Sequence, residues 1–184
     1  KLGSTRRASV CVRGPLLARL GYAEVSLPGG CVIGQRPIDL HIKGLRALKA
    51  DIEIQHGYVI AKCKRHLEGN DIFLGGSFGS SVLATGNVMM AATLALGKTI
   101  IENAACEPEV VDLAHFLKKM GARISGEGSP RIEVEGVKEL SGAHYSIIPD
   151  RIETGTYMVA AAMTGGDVLI KKTVPEHQKA LIDK

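Results

Sequence analysis

The chain has 184 residues, 45% of them hydrophobic and 23% charged, a balance that fits a folded globular domain and excludes a disordered or collagen-like one. Its net charge of +4 suits an anionic ligand but is too modest and too scattered to mark a nucleic-acid surface, and 4% aromatics with no Trp leave no base-stacking platform. No apolar run reaches the length that spans a membrane.

In chain order the predicted elements form a unit that recurs about every 70 residues. Each copy runs apolar helix, Gly, strand, a loop ending near Pro, amphipathic helix, then strands. The first copy places these at Ala8–Leu20, Gly21, Glu24–Leu27, Pro37 and Ile38–Leu48, followed by strands at Asp51–Ile54 and Tyr58–Lys62. The second places them at Val82–Leu96, Gly97, Thr99–Glu102, Pro108 and Glu109–Met120, followed by Arg123–Ser125 and Arg131–Glu135. A third begins with Ile152–Met163, Gly166, a strand at Asp167–Lys171 and Pro175. The stretches Val88–Leu96 and Tyr157–Met163 are apolar all round, which predicts helices enclosed by other structure, whereas Val110, Leu113, Ala114, Leu117 and Met120 fall on one face of a half-exposed helix.

Residues 28–37, Pro-Gly-Gly-Cys-Val-Ile-Gly-Gln-Arg-Pro, put a thiol, Cys31, on a glycine-flanked loop five residues before Arg36, with Pro37 suited to the first position of a helix whose free N–H groups attract anions. Cys31 is expected to be accessible there, and Cys11 and Cys106, among apolar neighbours, less so. The four cysteines form no CxxC pair and the six histidines no metal spacing, so no metal and no cofactor is assigned; a reducing cytoplasm fits best. Gly75-Gly76-Ser77-Phe78-Gly79-Ser80-Ser81 offers N–H groups and hydroxyls to a phosphate, or simply caps the helix that follows. It lacks the Gly-Lys-Ser/Thr end of a P-loop.

The loop at 28–37, together with Gly97–Asp112 (GKTIIENAACEPEVVD) and Ile147–Gly155 (IIPDRIETG), resembles the UDP-N-acetylglucosamine enolpyruvyl transferases (1-carboxyvinyltransferases), a family more than twice this length. The resemblance implies an internal fragment of an α+β fold in which β-α-β-α-β-β units repeat with sheets outside and helices inside. Residues 1–149 would be the last two repeats of the UDP-sugar-binding domain, and 150–184 the crossover and start of a second domain. It also implies the activity: transfer of the enolpyruvyl group of phosphoenolpyruvate to the 3′-hydroxyl of UDP-N-acetylglucosamine, which opens peptidoglycan synthesis, with fosfomycin as inhibitor and no nucleic-acid or membrane partner.

By the same resemblance Cys31 is the acid that protonates C3 of the enol ether and the thiol that can form an adduct. Arg36, Pro37, Ile38, Asp39 and Leu40 hold phosphate and uridine, and Arg7 lies in the phosphate region. Ser77, Phe78 and Gly79 contact the diphosphate, with Phe78 a departure in bulk, and Arg151 helps close the cleft between domains. Glu68 stands where the family carries Lys or Arg, a charge reversal expected near the diphosphate that would disturb the usual nucleotide contact. The family's N-terminal Lys-Asn pair, its distal Asp base and two further arginines fall in the missing segments of the parent chain, so the isolated fragment is expected to be inactive. The rival readings are the shikimate-pathway enolpyruvyl transferase, built from the same repeat but without a Cys on such a loop, and an RNA-binding module of similar topology.

Overall fold

Strand-forming runs alternate with apolar helices twice before residue 144, and in the computed structural model each alternation becomes a small sheet backed by helices. The structure describes residues 7–27, 38–77 and 79–184, without the side chains of Arg7 and Ala8. Two units divide the chain, Lys1–His144 and Tyr145–Lys184.

In the first unit a 3-10 turn, Arg7–Val12, leads into α1 (Arg13–Leu20), so the helix expected from Ala8 is tightened over its first half. Gly21, with φ of 70°, ends α1 in the left-handed conformation and donates its N–H to the Leu17 carbonyl at 2.9 Å. β1 (Tyr22–Ser26), α2 (Asp39–Ala47), β2 (Asp51–Gln55) and β3 (Tyr58–Lys62) complete the first repeat. Positive φ at both His56 and Gly57 gives the tight hairpin turn that joins β2 to β3. The second repeat comprises β4 (Asp71–Phe73), α3 (Val82–Ala92), β5 (Lys98–Glu102), α4 (Pro108–Lys119), β6 (Arg123–Ser125) and β7 (Arg131–Glu135).

The sheets share one plan. β3 lies between β1 and β2, and β7 lies between β5 and β6, all antiparallel. β4 adds a parallel edge strand beside β5, which makes the second repeat a full β-α-β-α-β-β unit. Sequence reading missed β4, because the exposed Phe73 stands between the buried Ile72 and Leu74 and the resulting apolar run hides the alternation. Each sheet turns an apolar face inward, as with Val59 and Ala61 or Ile132 and Val134, and leaves charge outside, where Arg131 pairs with Glu102 and Arg123 with Glu135, each at 2.9 Å.

α3 is the axis of this core. It packs against α1, α2, α4 and the inner faces of β5 and β7, and Ala84, Val88, Met89, Ala91 and Ala92 are fully buried. Gly14 and Gly44 permit that closeness: a Cβ on Gly14 would strike the Asn87 carbonyl, and one on Gly44 the Val88 side chain. The first unit is α+β with helices inside and sheets outside, as expected, whereas the stretch Tyr157–Met163, expected to be enclosed, has Tyr157 and Met163 exposed.

In the second unit the Asp150 carboxylate caps α5 (Arg151–Thr164), accepting from Ile152 N–H at 2.8 Å and Glu153 N–H at 3.1 Å. A 3-10 turn, Pro175–Gln178, and the short α6 (Lys179–Ile182) follow. The strand expected at Asp167–Lys171 is not formed. This unit has no other strand among its described residues to accept a ladder, and an unpaired strand leaves its backbone groups to water.

Candidate functional site

The residues that sequence reading grouped for chemistry flank the two segments outside the described set. Cys31, Arg36, Pro37 and Phe78 lie outside the described residues, as does the side chain of Arg7. What the structure does give is the frame: the end of β1, the first turn of α2, the glycine-rich turn and the start of α3.

Ile38, Asp39 and Leu40 open α2, and Ile38 at its N-cap contributes no side-chain bond. Leu40 packs over Gly76, where an added Cβ would sit 3.5 Å from its methyls, so the start of α2 is held against the glycine-rich turn. That turn is closed by reciprocal bonds, Gly76 N–H to the Gly79 carbonyl at 3.1 Å and Gly79 N–H to Gly76 at 3.0 Å. Gly79, at φ of 86°, takes the conformation only glycine adopts cheaply. Ser77 lies within the turn rather than at the helix. Ser81 caps α3, its Oγ accepting the Ala84 N–H at 3.3 Å, so Ser81 marks the free end of that helix. The structure thus sets Leu40 against Gly76, next in the chain to Ser77, while Arg151 belongs to the second unit.

Glu68 falls elsewhere. Its N–H bonds the Leu48 carbonyl at 3.1 Å and it bridges to Leu96, both beyond the C-terminal ends of α2 and α3. It lines a groove with Arg46, Lys49, Lys64 and Arg65, at the end of these helices opposite Ser81. At ~1.5 Å per residue, α3 alone separates the two by about 15 Å, so the charge reversal at Glu68 does not face a diphosphate held at Ser77–Ser81.

Beneath the start of α2 lies a buried polar node that sequence reading did not find. Asn87, fully buried in α3, accepts from the Gly14 N–H through Oδ1 at 2.8 Å, and its Nδ2 donates to the Val10 carbonyl at 3.3 Å and lies 3.1 Å from His41 Nδ1. An amide nitrogen can only donate, so His41 Nδ1 is the acceptor and its proton sits on Nε2. Burial, then the neighbouring Arg13 charge, holds His41 down to about 4 despite the opposing pull of Asp39. Arg13 is 1% exposed, and burial lowers its own value to about 10. An Asn in an apolar helix flanked by Gly86 and Val88 was the available signal, since a lone amide there needs partners.

Two expectations about thiols separate. Cys11 is half-buried, and burial raises its thiol. Cys106 is exposed, contrary to expectation: Ala104 and Ala105 carry the burial in the loop between β5 and α4, leaving the next side chain at the surface. No helix among the described residues is long and apolar enough to cross a membrane.

Comparison with known proteins agrees with this frame. Over 178 residues the chain is 60% identical to a protein named UDP-N-acetylglucosamine 1-carboxyvinyltransferase 1 from Caldanaerobacter subterraneus subsp. tengcongensis, spanning 97% of this chain and 42% of that protein. A UDP-N-acetylglucosamine 1-carboxyvinyltransferase from Coxiella burnetii is 58% identical over 184 residues, 100% of this chain and 42% of its own. The chain therefore spans about two fifths of the length of these curated relatives. Among solved structures, the enolpyruvyl transferase NikO from Streptomyces tendae matches with a TM-score of 0.68 at 19% identity, over 85% of this chain and 36% of that one. EPSP synthase from Acinetobacter baumannii matches with a TM-score of 0.63 at 21% identity, over 86% and 35%. Both likenesses are of fold. The family model described as EPSP synthase (3-phosphoshikimate 1-carboxyvinyltransferase) matches residues 2–184, and the chain belongs to that family.

Proposed function

We propose that this chain carries the acid and part of the nucleotide-sugar site of a UDP-N-acetylglucosamine 1-carboxyvinyltransferase, a cytoplasmic enzyme of peptidoglycan synthesis. The observation that carries the reading is identity of 58–61% with relatives of that name across 97–100% of the chain. The shikimate-type alternative has in its favour the family model's description, but the structures bearing the EPSP synthase name are only 21–22% identical.

In this reading Cys31 delivers a proton to C3 of phosphoenolpyruvate, which makes C2 electrophilic toward the sugar 3′-oxygen, whose proton passes to a base; loss of phosphate from C2 and of a proton from C3 then restores the enol ether on the new oxygen. A thiol titrating near ~8.5 stays mostly protonated at neutral pH and is able to donate. Arg36 and Arg7 hold phosphate charge, with the fork of a guanidinium suited to its oxygens. Pro37, Ile38, Asp39 and Leu40 cradle the uridine, and Ser77, Phe78 and Gly79 meet the diphosphate. To that turn we add Ser81, whose helix start lies beside it. Residues 1–149 form the sugar-side repeats and 150–184, with Arg151, the crossover. The remaining length of the relatives supplies the base and the rest of the phosphate clamp.

Mass spectrometry after fosfomycin treatment in the presence of UDP-N-acetylglucosamine tests the site. Labelling is expected first at Cys31; labelling first at the exposed Cys106, or equally at all thiols, would sink the assignment. Replacing Arg36 by Ala is expected to weaken calorimetric binding of the UDP-sugar by about 1.5–3 kcal/mol, the range for a hydrogen bond to a charged group. Phosphate release from phosphoenolpyruvate is expected only when the relatives' flanking segments are supplied; turnover by the 184 residues alone would contradict that division of labour.

A further inference from the structure

Among the described residues Arg13 is a charge without a counter-charge. Its side chain is 1% exposed; Nε and Nη1 are buried without a partner, and Nη2 reaches only the Ser26 carbonyl, at 3.5 Å. The guanidinium stays protonated at neutral pH, so the charge cannot be shed. No ion pair to Arg13 occurs among the described residues, and the groups that feel its field are Cys11, whose thiol burial keeps protonated, and His41. Residues 1–6, 28–37 and 78 contain no Asp or Glu at all. A guanidinium buried with no ion pair among the described residues and a single long hydrogen bond is strongly unfavourable, so this place in the fold calls for an anion.

The surroundings fit one. Ser26 Oγ, at the end of β1, is buried without a partner. The first turn of α2 has no side-chain cap, and its His41 is neutral with Nδ1 already committed to Asn87. Asp39, in the same turn, is exposed and does not neutralise the guanidinium. We propose that Arg13, the Ser26 hydroxyl and the uncapped first turn of α2 form a buried site for a small phosphate-type oxyanion, which completes the core charge balance. Guanidinium, hydroxyl and helix N–H groups all donate, the combination that an oxyanion accepts with charge-assisted bonds. The proposal stands whether or not the transferase reading holds, because it rests on the buried guanidinium and not on Arg36.

Thermal unfolding of the chain in inorganic phosphate and in chloride at equal ionic strength tests it. Phosphate is expected to raise the midpoint by several degrees over chloride; R13L should lose that increment, R13K should keep part of it, and R123A, at an exposed arginine on the outer face of the second sheet, should keep all of it. Equal midpoints for the unaltered chain, or an increment that survives in R13L or disappears in R123A, overturns the proposal. If R13L does not fold, imidazole resonances of the unaltered chain decide. Phosphate should shift the His41 signal and raise its titration midpoint while His56 and His144 stay put, and an unmoved His41 overturns the site.

Discussion

α3 and α5 are written in nearly the same apolar alphabet and meet opposite fates. In α3, Val88 and Met89 are fully buried, whereas in α5 Tyr157 is 56% and Met163 81% exposed. The covering elements explain it. α3 has helices around it and two strands below, while within its own unit α5 meets the 3-10 turn, Leu181 of α6 and Thr173, which cover its Thr154–Gly155 face. Apolar composition on every side of a helix reports a demand for cover and says nothing about what supplies it. α5 presents Ile152, Tyr157, Val159 and Met163 as a demand unmet by residues 145–184.

The sharpest way to break this comparison is to place the same charge in both helices. Val88→Asp buries an unpaired carboxylate in the core and is expected to cost more than about 4 kcal/mol, enough to unfold the first unit. Val159→Asp, on the 42% exposed residue of α5, is expected to stay within about 0.5 kcal/mol. Denaturant titration followed by circular dichroism separates the two, and equal losses would mean that α5 is covered after all.

How much of this was legible beforehand follows from the same physics. Local signals carried the repeat: strand alternation, the glycine after α1 and the proline opening α4 are properties of neighbouring residues. The strand expected at Asp167–Lys171 failed because pairing is not local, and β4 escaped notice because its exposed residue, Phe73, is as apolar as its buried neighbours Ile72 and Leu74. The site divided in the same way. Ser77 and Gly79 were legible as a turn and Ile38–Leu40 as a helix start, but the contact of Leu40 with Gly76 and the Asn87 node depend on how three helices cross. Glu68 was misjudged for the same reason, since closeness to residue 77 in sequence became the opposite end of α3 in space.

The Asn87 node supplies the next test, because it includes a titratable group, His41, whereas the buried polar residues Thr154 and Gln178 at α5 do not ionise. His41 titrates at about 4 when folded and near ~6.5 when unfolded. The unfolded state therefore binds the proton first, so the contribution is complete above pH ~6.5, shrinks as pH falls and is gone below about 4. At ~1.4 kcal/mol per pH unit the span is worth about 3 kcal/mol. Urea midpoints measured between pH 7 and 4 should show this slope, and His41→Asn should flatten it; an unchanged slope would place the titration elsewhere.

The smallest expected effect concerns the two helix caps. Ser81→Ala and Asp150→Ala each remove a side-chain acceptor at an N-terminus, worth about 1 kcal/mol in either helix. The caps act alike, but the helices that receive the loss do not. Packing on all sides fixes α3, so loss of the Ser81 hydroxyl should lower the midpoint of the first unit while leaving amide exchange in the middle of α3 slow. α5 depends more on its own local terms, because a helix of this length without tertiary cover is only marginally stable. Asp150→Ala should therefore speed hydrogen exchange along the first turns of α5 by roughly fivefold, the equivalent of ~1 kcal/mol. Comparable protection in α5 before and after the substitution would show that an apolar partner, and not the cap, holds that helix.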